Sequence, residues 1–136
     1  MRMTDAEVRS IVERLYAAAG AGDWDGVAAL LADNFVIREA AGLPYAGTWH
    51  GKDALRQVYM LVMGTWRDPA VDIHALTVGD GHAVGLLTLT VTAPGTGQRH
   101  SFPIAEMFRI ENGRIAEIRP YYFDTAAVAK ALAPAA

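Results

Sequence analysis

The chain of 136 residues contains no cysteine. That excludes disulfides, thiol catalysis and thiolate-bound metal, though it does not fix the compartment. Positive charge is sparse, with 12 Lys and Arg against 15 Asp and Glu and a net charge of −3. No basic stripe exists to track a phosphate backbone, so a nucleic-acid partner is not expected. No apolar run approaches the ~20 residues of a membrane span, and the opening "MRMTDAEVRS" lacks the apolar core of a signal peptide. A cytoplasmic protein with no membrane partner is the expectation. The four histidines, His50, His74, His82 and His100, show no short ligand spacing, so no metal and no cofactor is expected. "GDG" and "GTG" are turns and do not open a helix as a phosphate loop must. Ser10 and Ser101 lack the "GxSxG" context of a serine nucleophile.

Apolar residues, at 52% of the chain, are abundant enough to build a core rather than a disordered segment. The length suits one domain over 1–136, with a core at about 4–124 and a short C-terminal helix and tail at 125–136. In "TDAEVRSIVERLYAAAGAG" the residues Val8, Ile11, Val12, Leu15 and Ala19 repeat at helical spacing. Thr4 followed by Glu7 predicts a capping box, and Gly20 or Gly22 ends the helix. "DWDGVAALLADN" predicts a second, short helix capped by Asp23, with Trp24, Val27, Leu30 and Leu31 inward. "FVIRE" predicts a short strand. "AAGLPYAGTWHG" predicts a loop. "KDALRQVYMLVMGTW" predicts a third helix with Leu55, Val58, Tyr59, Val62 and Met63 inward.

From Val71 the pattern turns to strands separated by Gly-rich turns, of which Asn112-Gly113 is a strong hairpin signal. Ile115 and Ile118 stand three apart, so a β-bulge is expected in the last strand. Helices first and a meander afterwards is an α+β layout. A strongly curved antiparallel sheet with three N-terminal helices across its concave side forms a cone, and an apolar cone is a ligand pocket by default.

Alternation then singles out two acids. Successive strand side chains point to opposite faces. Glu106 therefore shares a face with His100, Phe102, Ile104, Phe108 and Ile110, and Glu39 with Phe35 and Ile37. A carboxylate moved out of water without a partner is strongly disfavoured, and taking up a proton relieves it. Such a group exchanges protons near neutral pH or donates a hydrogen bond. The alternative is an ion pair. A two-residue turn at Asn112-Gly113 sets Glu106 opposite Arg119, and a bulge breaks that register.

"GDWDGVAALLADNFVIRE", "YAGTWHGKDAL" and "AEMFRIENGRIAEIRPYYFD" resemble the SnoaL-like branch of the nuclear transport factor 2 superfamily, over residues 8–132. The resemblance implies a cystatin-like α+β cone. Its steroid-isomerase members imply a general base at Glu39 and a protonated, hydrogen-bonding acid at Glu106. The isomerase tyrosine falls at Leu15, with Tyr16 one helical step of ~100° away. The two Asp positions of the Asp-Arg-Asp set of limonene-type epoxide hydrolases fall on Leu89 and Tyr121, neither of them a carboxylate, so that chemistry is not what the resemblance implies here. The polyketide-cyclase members imply a buried acid moving a proton on a carbonyl substrate.

The combined expectation is a cofactor-free acid/base enzyme, an isomerase, cyclase or dehydratase, acting on a small apolar carbonyl compound. Glu39 and Glu106 are the candidate catalytic pair. Tyr16, Trp49, Tyr59, Met63, Trp66, His100 and Tyr122 are the candidate substrate-binding residues, with Tyr121 and Tyr122 pointing to opposite faces. The alternatives are a non-catalytic binding module of the same fold, or a structural dimer with its acids paired. In "VGLLTLTV", Leu86 and Leu87 point opposite ways, which predicts an apolar outer sheet face and a homodimer through it.

Overall fold

A computed structural model describes residues 3–134. Helix α1 (Asp5–Gly20) begins with the expected capping box: the Thr4 hydroxyl accepts from the Glu7 amide at 3.1 Å, and the Thr4 amide donates back to the Glu7 carboxylate at 3.3 Å. Helix α2 (Trp24–Leu30) is capped by Asp23, which accepts from the Gly26 amide. Leu31 was expected in that helix. It turns extended and opens strand β1 (Leu31–Glu39), which is longer than the predicted one. Helix α3 (Ala54–Thr65) buries Val58.

Four long strands and one short one complete the sheet with β1: β2 (Gly47–His50), β3 (Arg67–Gly79), β4 (His82–Thr92), β5 (Arg99–Glu111) and β6 (Arg114–Tyr122). Helix α4 (Thr125–Leu132) follows, capped by Asp124. The strand order is β2-β1-β6-β5-β4-β3. The fold is the expected α+β cone, with two corrections. The sheet is mixed, not antiparallel throughout, because the chain returns to lay β6 beside β1 in the same direction. Part of the expected loop is also a strand: β2 pairs antiparallel along the edge of β1. Gly47 and Gly51, both at positive φ, turn the chain at its two ends.

The β5–β6 hairpin turns on Asn112 and Gly113, both at positive φ, as a two-residue turn requires. Ile110 pairs with Ile115, but Arg109 pairs with Glu117, so Ala116 is the extra residue of a bulge. This one-residue slip decides the site's electrostatics. Beyond the bulge Glu106 lies opposite Pro120, and Arg119 moves opposite Met107, on the other face.

The concave face is buried in two clusters. Phe35, Phe108, Ile115 and Ile118 pack with Val8 and Val12 under α1. Val91, Phe102 and Trp66 pack with Val128 under α4.

On the convex face Glu117 is only 6% exposed. Arg119 donates to it at 2.8 Å, with Arg38 and Arg109 at 3.4 and 3.6 Å. Cover by these side chains works to raise its pKa. The Arg119 hydrogen bond and the three guanidinium charges outweigh that and hold it below the usual carboxylate range. A lowered folded value contributes stability above the unfolded pKa, and that stability is lost as pH falls through the folded one. Glu117→Gln is expected to destabilise the protein at pH 7 by about 1 kcal/mol, since the arginines are partly solvated. It should also flatten the decline toward pH 3, as followed by urea unfolding at both values.

Candidate active site

A cavity of about 300 Å³ lies between the concave sheet face and helices α1 and α3. Its walls are apolar: Leu15 from α1, Val58 and Val62 from α3, and Ile37, Leu87 and Leu89 from the sheet. Val71 and Ile73 also line it and are 48% and 40% exposed, so the cavity opens along β3.

Glu39 and Glu106 both line this cavity. The pairing explains why. Glu106 on β5 is opposite Pro120 on β6. The parallel register of β1 and β6 matches Ile37 with Ile118. Continued two residues, it aligns Glu39 with Pro120. The acids therefore occupy one transverse row, two strands apart, with backbones about 10 Å from each other. Pro120 between them lines the cavity and offers no polar side chain.

Neither acid is paired with an arginine or lysine among the described residues. Glu39 is 7% exposed, and its Oε1 is buried with no hydrogen-bond partner among the described residues. Burial, reinforced by the nearby charge of Glu106, pushes its pKa up to about 8. Burial likewise raises Glu106, opposed by a hydrogen bond from Tyr16. The Tyr16 hydroxyl donates to Glu106 Oε1 at 2.8 Å. Burial first, and then the Glu106 carboxylate, hold that phenol protonated well above its ordinary value. The Tyr16 ring is set edge-on against Phe108, with centroids 5.5 Å apart and planes at 90°.

Toward the end of the Glu39 strand the Tyr122 hydroxyl lies 2.7 Å from that of Tyr45. Tyr122 lines the cavity; Tyr121 is 52% exposed on the outer face. Burial raises both Tyr122 and Tyr45, and each also feels the Glu39 charge. Tyr45 was not among the expected residues. It sits in the loop before β2, where no alternation marks its direction. Its one legible signal was an aromatic residue after Pro44 in a loop otherwise poor in large side chains.

Of the other expected binding residues, Tyr59 and Met63 line the cavity, Tyr59 with its ring also edge-on to Trp24. Three do not line it. Trp49 is tied into β2 opposite Ile37 and packs on the first core cluster instead of closing over a ligand. Trp66 ends α3 and is buried against Phe102 in the second cluster, 5.5 Å between centroids. His100 pairs opposite Val91 and stacks on Phe102, beyond the cavity's edge, with Nε2 buried and unpartnered among the described residues. His100 and Trp66 are carried past the cavity by their position along their elements, and Trp49 lies outside it on the edge strand. No group of three His, Asp or Glu side chains converges to hold a metal among the described residues.

Residues 12–118 match the model of the SnoaL-like domain. The chain belongs to the SnoaL-like family. Solved structures repeat the fold. An NTF2-like protein from Burkholderia thailandensis is 27% identical, with a TM-score of 0.84, 98% of this chain covered and 100% of the other. A second NTF2-like protein, of unknown function, from Burkholderia pseudomallei is 26% identical, with a TM-score of 0.80 over 96% of this chain and 98% of the other. TerC, crystallised with polyporic acid, is 14% identical, with a TM-score of 0.79 over 93% and 98%. No curated protein matches the chain. This SnoaL-like chain has no helix long and apolar enough to cross a membrane among its described residues.

Proposed function

We propose that this SnoaL-like protein is a cofactor-independent acid/base enzyme that relocates a proton on a small, mostly apolar carbonyl compound. The supporting observation is the pair of carboxyl groups facing one apolar cavity with no cation on either among the described residues. Glu39 is the base that takes a proton from the carbon next to the carbonyl. Glu106, whose proton burial favours, acts in its neutral form and donates a hydrogen bond to the oxygen on which charge develops. Tyr16 satisfies the carboxyl oxygen of Glu106 that the substrate does not meet. Returning the proton to a different carbon completes an isomerisation. Expelling a β-hydroxyl from the same enolate, as water with the proton Glu39 has taken, gives dehydration; attack of the enolate carbon on a second carbonyl, whose oxygen takes that proton, gives cyclisation.

Hydrogen–deuterium exchange at the α-carbon of β-tetralone in D₂O, followed by NMR, tests this without the natural substrate. Wild-type protein is expected to accelerate exchange, with the rate rising with pH through about 8 as Glu39 ionises. Glu39→Gln is expected to lose ~10²–10⁴-fold, the usual worth of a positioned base. Saturable binding with no acceleration at any pH overturns the enzyme reading and leaves a binding module.

Independently of the chemistry, we propose a homodimer through the outer sheet face. Leu86 and Tyr121 stand 43% and 52% exposed there, which supports self-association.

A further inference from the structure

Gly85 on β4 lies directly opposite Glu106 on β5. Opposed residues in an antiparallel pair share a face, so a side chain at 85 would point into the cavity beside the acid. Its backbone lies outside the left-handed region, so conformation does not call for glycine here. A glycine inside a strand weakens it and often marks a close approach. The approach is visible: a Cβ placed on residue 85 would lie 2.1 Å from the Tyr16 hydroxyl oxygen and 3.1 Å from its Cζ. The phenol of Tyr16 fills the volume that any side chain at 85 would need. Its edge-on contact with Phe108 blocks an easy sideways retreat.

We propose that Gly85 is a positioning residue: its missing side chain is what lets the Tyr16 hydroxyl reach Glu106 and orient that carboxyl group. Tyr16 arrives from α1 and crosses the β4 backbone to meet a residue on β5. Only an empty site at 85 leaves that path open. The consequence for chemistry rests on the acid/base reading of Glu106; the steric relation does not.

The test is a double-mutant cycle of Gly85→Ala and Tyr16→Phe. Its first readout is the titration of Glu106, followed by carbon NMR of ¹³Cδ-labelled glutamate and assigned with Glu106→Gln. The groups facing Glu106 are Tyr16, Glu39 and Tyr122. The Tyr16 hydrogen bond holds the Glu106 midpoint down. Gly85→Ala and Tyr16→Phe are each expected to raise that midpoint, and the double variant should match Tyr16→Phe alone. The second readout is the urea midpoint. Gly85→Ala is expected to lower it less in the Tyr16→Phe background, where the clashing oxygen is gone.

An unchanged Glu106 midpoint in Gly85→Ala overturns the proposal, as does an equal response in both backgrounds. If Gly85→Ala alone fails to fold, a folded double variant supports the proposal, and an unfolded one overturns it. No readout involves turnover, so failure here and failure of the exchange experiment are separately visible.

Discussion

Glu39→Gln is expected to make the protein more stable at pH 8 and to reduce the loss of stability that the wild type suffers on going up from pH 4.5. A carboxyl group with a folded pKa near 8 and an ordinary value of 4.5 binds its proton more tightly in the native state. Its contribution to stability is present in full below the unfolded value and is lost as pH rises through the folded one. Each pKa unit corresponds to about 1.4 kcal/mol, so the wild type should lose several kcal/mol across this window. Glu106, also raised by burial, adds to the same slope. Urea unfolding of wild type, Glu39→Gln and the double variant with Glu106→Gln, at pH 4.5, 6 and 8, resolves the two shares. A wild-type stability that is level from pH 5 to 8 would show that Glu39 ionises freely and is no buried acid. The direction is diagnostic, because the Glu117 cluster on the opposite face gives the reverse slope at lower pH.

Phe108→Ala is expected to cost about 3–5 kcal/mol, the usual range for a fully buried phenylalanine. Phe108 has no exposed surface and sits in the core cluster beneath α1. It is also the edge partner of Tyr16. The variant should therefore loosen the tyrosine as well as the core. Chemical denaturation measures the first effect. Widening of the Tyr16 ring resonances, with the Glu106 midpoint moving upward as in Tyr16→Phe, measures the second. Phe108→Leu refills much of the volume and should recover most of the stability while leaving Tyr16 without its edge contact. If Phe108→Ala unfolds the chain under all conditions, Phe108→Leu still reports on Tyr16. An unmoved Glu106 in that variant would show that the tyrosine is held by other contacts.

Both acids of the site were legible because strand alternation is local. Glu39 follows Phe35 and Ile37, and Glu106 lies between Ile104 and Phe108; a period of two suffices to aim them inward. The same rule separated Tyr121 from Tyr122. It could not say how far along an inward face the cavity extends. His100 and Trp66 are inward yet lie past its limit, both against Phe102. Trp49 is inward yet is drawn into β2 by an edge that only the folded β1 offers.

What the amino-acid order determined by itself were the short-range features: the Thr4–Glu7 box, the Asn112-Gly113 turn, the broken alternation at Ile115 and Ile118, and the facing of the two acids. Each depends on residues a few positions apart. Tertiary structure alone decided that β1 runs parallel to β6, that Glu39 and Glu106 share one row, and that the slip at Ala116 carries Arg119 away from the acid. It also decided that Tyr16, Gly85 and Glu106 meet, across 90 positions between the tyrosine and the acid. Those relations are set by strand register and helix placement. Register sums every turn, bulge and pairing between distant segments, so no local pattern contains it.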